Sequence, residues 1–181
     1  MSQHRAANTG GEASIQTKPT YTVRSLESGD ASRWDAFVRS SPHGTVYHLS
    51  GWRSLIENSL HHHAHYLYCE NNGQIEAVLP LAHVKSLLFG SALISVPFLV
   101  YGGPIASNPV ALEKVLAAAR DLAVDLGVGH LELRNRVSVP GDWLSKDNYV
   151  TFRKELEADP ESNLLAIPRK QRAMIRKGIQ A

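Results

Sequence analysis

Arg169, Arg172 and Arg176 stand at an i, i+3, i+7 spacing near the end of the chain. On a helix that spacing lines three guanidinium groups along one face. A guanidinium is planar, permanently charged and forked, so a row of them suits phosphate oxygens. Lys170 and Lys177 add to the row: residues 169–177 hold five cations and no acid, while residues 155–161 hold four Asp or Glu. The whole chain carries only +2, too little to hold nucleic acid through a general field. A local anion site is expected, and a polyanion coat is not.

The second candidate is Phe98-Leu99-Val100-Tyr101-Gly102-Gly103-Pro104. Two glycines before a proline let backbone approach a ligand closely while the proline fixes the exit. Tyr101 offers an aromatic face and a hydroxyl at the apex. The plain alternative is a strand-to-helix connection with Tyr101 packed for stability.

Other reactive types give less. His61, His62, His63 and His65 sit at an expected helix–strand junction, where neighbouring side chains diverge and do not face one ion. No metal site and no cofactor are expected. Asp121 and Asp125 lie opposite an apolar stripe, as a solvated face would place them. There is no Gly-x-Ser-x-Gly, no Walker loop and no dinucleotide fingerprint, so no catalytic residue is assigned. The lone Cys69 excludes an internal disulfide framework and reads as a buried thiol in a reducing compartment. Residues 1–19 are polar and lack an export-type apolar stretch, and no apolar run is long enough to cross a bilayer. A cytoplasmic chain without stable membrane insertion is the expectation.

The elements that must position these residues follow from pattern. Residues 1–19 are expected to be a disordered tail. Alternation predicts strands at 21–26, 64–70, 74–84, 91–96, 130–134 and 150–156. Asn71-Asn72-Gly73 should close a hairpin, because Asn-Gly accepts positive φ. Asp30 is expected to cap a helix carrying Trp34, Phe37 and Val38, and Ser50 to start one carrying Trp52, Leu55, Ile56 and Leu60. Leu112, Val115, Leu116, Ala119, Leu122, Ala123 and Leu126 form a 3.6-period stripe that Gly127 stops. The class is α+β, a sheet with helices against it.

Taken in order, these pieces resemble the first half of a FemAB-family protein, in particular those associated with exosortase/PEP-CTERM systems. The matching residues are Trp34-Asp35-Ala36-Phe37-Val38, Val46-Tyr47-His48-Leu49-Ser50-Gly51-Trp52, Val78-Leu79-Pro80-Leu81 and Phe89 through Phe98. Tyr101-Gly102-Gly103-Pro104, Leu131-Glu132-Leu133-Arg134 and the helix at 169–177 complete the pattern. The resemblance implies a GNAT-like mixed, mostly antiparallel sheet flanked by helices: a first module over 20–160, then a basic helix over 161–181 linking to a second module. It implies an aminoacyl or acyl transferase that takes an acyl group from aminoacyl-tRNA or another activated donor to a phosphorylated envelope precursor, peptidoglycan or exopolysaccharide-related. A first module by itself should be inactive. Tyr101, Gly102 and Gly103 match the precursor-lining turn, and Arg169, Arg172 and Arg176 the Arg-rich link.

Two departures stand out. Gly102 and Gly103 replace an Arg before Gly-Pro, and Leu55, Ile56 and Glu57 occupy the region of a Lys that follows the matched Trp52. Both remove an anion contact. The alternative function is therefore a non-catalytic binding or scaffold domain of an exopolysaccharide-export system. An acyl-CoA enzyme would need an Arg/Gln-x-x-Gly-x-Gly/Ala loop, which the chain lacks.

Overall fold

The computed structural model describes residues 19–86, 88, 90–146 and 150–180. The expected tail falls almost wholly outside them. By its contacts the chain divides into two compact units, Met1–Val139 and Pro140–Ala181.

The first unit is a mixed sheet between helices. Its elements are β1 (Tyr21–Ser25), α1 (Ala31–Ser40), α2 (Gly51–Asn58), β2 (His63–Asn71), β3 (Gln74–Ser86), β4 (Gly90–Ser95), β5 (Ile105–Ala106), α3 (Pro109–Asp125) and β6 (His130–Glu132). Strands run in the order β1-β2-β3-β4-β6, with β5 also on β3. All pairs are antiparallel except β4 with β6, which is parallel. This is the α+β class expected from the pattern.

Period-two alternation in β2 sets the layers. Ala64, Tyr66 and Tyr68 point to one face, packing with Trp34 and Val38 of α1 and Ile56 of α2. Leu67 and Cys69 point to the other, against Ala111, Val115 and Ala119 of α3. Trp34 is fully buried and stacks on Tyr66 with centroids 5.3 Å apart. Asn72 and Gly73, both at positive φ, close the β2–β3 hairpin as expected.

One edge of β3 is shared. β4 pairs with its residues from Leu81 to Ser86, and β5 with Ala77 and Val78. Between these pairings the chain leaves the sheet and returns, so residues 96–104 form a loop over the vacated edge. Pro80 sits at the departure point. Its carbonyl accepts from the Val96 N–H at 3.3 Å. An N–H at Pro80 would point to the same edge, where no strand continues, so proline costs no ladder bond there.

Three details differ from expectation. Asp30 precedes α1 but makes no cap bond. Its carboxylate turns to Arg33 at 2.7 Å and to the Tyr68 hydroxyl at 3.1 Å, because charged and phenolic donors out-compete a cap amide. Ser50 likewise makes no side-chain cap bond, and its N–H is taken by Asp35 at 2.7 Å. The described residues from 150 to 156 form no strand and are exposed. Alternation there finds no neighbouring strand to supply hydrogen bonds.

The second unit contains α4 (Pro160–Leu165) and α5 (Arg169–Gln180). Asp159 caps α4, accepting from the N–H groups of Glu161 and Ser162, with Pro160 in the first turn. α5 is the expected basic helix. No described helix is long and apolar enough to cross a membrane.

Candidate ligand-binding turn beyond β4 and β6

The loop after β4 is strained. Val96, Phe98 and Tyr101 have φ of 45°, 67° and 59°. Left-handed backbone costs a non-glycine residue about 1–3 kcal/mol, and a β-branched residue such as valine tolerates it least. Such a conformation persists only where its surroundings over-determine it.

Here they do. Leu99 N–H bonds the Val96 carbonyl at 3.2 Å, and the Gly103 N–H bonds the Arg134 carbonyl at 3.1 Å. Arg134 returns a guanidinium bond to the Leu99 carbonyl at 2.8 Å, and its own N–H is held by the buried Ser95 hydroxyl at 2.8 Å. Glu132 orients that guanidinium at 2.7 Å. The turn is thereby tied to the segment that continues β6.

From the opposite side His48 holds it. His48 is 1% exposed, and its Nε2 donates to the Gly103 carbonyl at 2.8 Å. Its Nδ1 accepts the Thr45 backbone N–H at 3.2 Å. A backbone amide can only donate, so Nδ1 carries no proton and the ring is the neutral Nε2–H tautomer. Burial lowers its pKa, which agrees. Trp34 Nε1 donates to the His48 carbonyl at 2.6 Å, and the Thr45 hydroxyl donates to the same unprotonated Nδ1 at 2.8 Å.

Gly102 and Gly103 are buried. A Cβ on Gly102 would strike the Val96 side chain, and one on Gly103 would strike Asn135. In this structure the close approach that glycine permits is to the chain itself. Tyr101 is half-buried, and the Arg136 guanidinium lies over its ring, 5.5 Å from the centroid. Phe98 is 67% exposed and stacks on His62 at 5.8 Å. Trp52, whose Nε1 donates to the Val46 carbonyl at 2.8 Å, braces the Thr45–His48 turn from the α2 side.

Sequence reading named Tyr101, Gly102 and Gly103 and missed His48, Arg134 and Arg136. Contacts spanning 55 and 35 residues leave no local signature. Arg169, Arg172 and Arg176 lie on α5, in the other compact unit. Arg169 and Arg176 are exposed and Arg172 half-buried.

Two other clusters need mention. Arg24, Glu27, Asp30, Arg33, Tyr68 and Glu70 line a surface cavity, where both arginines pair with Asp30 or Glu70 at 2.7 to 2.9 Å. The Arg33 bond holds the Glu70 carboxyl below its ordinary range. His63 and His65 meet edge to face at 4.8 Å, and His83 lies opposite His63 in the β2–β3 register. Among the described residues no His, Cys, Asp or Glu group is arranged to hold a metal ion. Cys69 is buried, and burial raises its thiol pKa.

The sequence matches no family model and no curated protein. Solved structures do show likeness. The chain is similar to a ribosomal-protein-alanine N-acetyltransferase from Brucella melitensis biovar Abortus 2308, at 12% identity and TM-score 0.46, over 73% of this chain and 99% of that one. It is similar to a GNAT family acetyltransferase of Staphylococcus aureus at 11% identity and TM-score 0.47, over 75% and 98%. It is also similar to aminoglycoside N-acetyltransferase AAC(6')-Iy in complex with CoA, at 10% identity and TM-score 0.48, over 78% and 99%.

Proposed function

We propose that this chain carries a GNAT-like first module of a FemAB-type aminoacyl or acyl transferase, with a basic helix leading toward a second module. In this reading the turn at residues 96–104 receives a phosphorylated cell-envelope precursor, and α5 contacts phosphate oxygens. The observation that carries it is the strain at Val96, Phe98 and Tyr101, held by bonds from His48, Ser95 and Arg134. Strain of this kind concentrates where side chains must be aimed. The ordered resemblance of residues 34–38, 46–52 and 101–104 supports the same reading, since those segments meet through Trp34, His48 and Gly103. The acyl donor is aminoacyl-tRNA or a comparable activated ester.

Binding without chemistry is the second reading, and one observation favours it for the first unit. His48, which bonds the turn at Gly103, is buried with both nitrogens engaged, so it is no general base. A precursor-binding module whose reaction site lies elsewhere fits that geometry. Incubating the chain with aminoacyl-tRNA and a lipid-linked precursor is the test. Precursor retention without aminoacyl transfer is expected; transfer above background would show a reaction centre within these residues.

A further inference from the structure

We propose that Arg136, whose guanidinium lies over the Tyr101 ring, is the fork that grips a phosphate of the ligand at this turn. The inference rests on the precursor-binding reading above and assigns its anion contact.

The geometry favours a fork. With its Cζ 5.5 Å from the Tyr101 centroid, the guanidinium lies over an aromatic face. Cation–π contact restrains the group near the ring without using its N–H donors, which lie in the guanidinium plane. A bidentate pair of N–H bonds then matches two phosphate oxygens. Arg134, two residues earlier, is spent: it bonds Glu132 and the Leu99 carbonyl. Arg136 has no such partner, for among the described residues no carboxylate lies within ion-pair distance of it. The platform is set as well. Tyr101 holds a left-handed φ of 59°, and the neighbouring Gly103 carbonyl is held by His48 at 2.8 Å. A cation with no carboxylate partner among the described residues, lying over an aromatic at the ends of the parallel β4–β6 pair, suits an oxyanion. The ligand class is a phosphate or diphosphate ester.

Inorganic pyrophosphate is the probe. Titrated into the whole chain and followed by ¹H–¹⁵N spectra, it should shift the Arg136 Nε–H signal and the amides of residues 99–103. Arg136→Gln should abolish those shifts and leave the thermal midpoint unchanged. Arg136→Lys keeps the charge but loses the planar fork, so it should weaken this binding severalfold; equal affinity for Arg136→Lys would overturn the fork. Tyr101→Leu should weaken it comparably, and Tyr101→Phe should not. Shifts confined to residues 169–177 would overturn the role of Arg136 while leaving a phosphate site on α5. No shift anywhere would count against both this inference and the precursor reading.

Discussion

His48 donates from Nε2 to the Gly103 carbonyl at 2.8 Å, joining the turn before α2 to the turn after β4. The same residue receives the Trp34 indole N–H on its carbonyl. A buried tryptophan, a neutral histidine and a buried glycine thus form one line from the α1 side of the core to the Tyr101 turn. The core packing of α1 thereby fixes the conformation of a surface loop.

Because His48 must stay neutral to accept the Thr45 amide, acid should loosen this line. Burial lowers its pKa below the ordinary 6.5, and burial lowers those of His65 and His83 in the same direction. His65 is further lowered by His63 and His83, and His83 by Lys85 and His63. The unfolded chain therefore takes up protons first as pH falls. Stability is full above about pH 6.5 and is lost as pH drops toward the folded values. Urea midpoints measured from pH 7.5 to 5 should decline, and His48→Gln should decline less steeply. Equal slopes would remove His48 from the effect.

Gly103→Ala places a methyl against Asn135 and should destabilise by about 1–3 kcal/mol. Pairing it with Asn135→Ala removes the nearest obstructing atoms but not the Asn135 backbone, so part of the loss should return. A double-mutant cycle in urea reads the coupling. Additive losses would mean that the turn sits elsewhere in solution.

Phe98 is exposed at a positive φ. Replacing it with glycine relieves left-handed strain, so Phe98→Gly should hold or raise stability by up to about 1 kcal/mol. Precursor binding should fall, because the exposed ring and its His62 stack are lost. A stability gain with unchanged affinity would show the strain to be unrelated to binding.

Replacing Arg169, Arg172 and Arg176 together with Gln should weaken binding of a phosphorylated precursor and flatten its dependence on salt. Fewer cations release fewer counterions. The check is affinity across a potassium chloride series, with identical slopes for both proteins as the opposing result.

Much of this fold is legible from local pattern. The stripe from Leu112 to Leu126 gives α3, Asn72-Gly73 gives the hairpin, and alternation gives β2 and β3. All are signals carried within a few residues. α4 has a local signal too, Asp159 followed by Pro160, a cap and a first-turn proline. The strand expected over 150–156 fails because alternation specifies a face and not a partner. The site shows the deeper limit. Tyr101 could be singled out as an apex, but its companions Arg136, Arg134 and His48 come from distant segments, joined only by the sheet order and the β4–β6 crossover. Asp30 illustrates the same point: its type suits a cap, and Tyr68 and Arg33, delivered by the fold, take it instead.

The most direct measurement is the affinity of the chain for a diphosphate-bearing cell-wall precursor, taken by titration calorimetry before and after Tyr101→Leu. Saturable binding that drops at least tenfold in the variant, at an unchanged thermal midpoint, is the expected result. Binding untouched by the substitution, or no binding to the unsubstituted chain, would contradict the assignment of this turn as a precursor site.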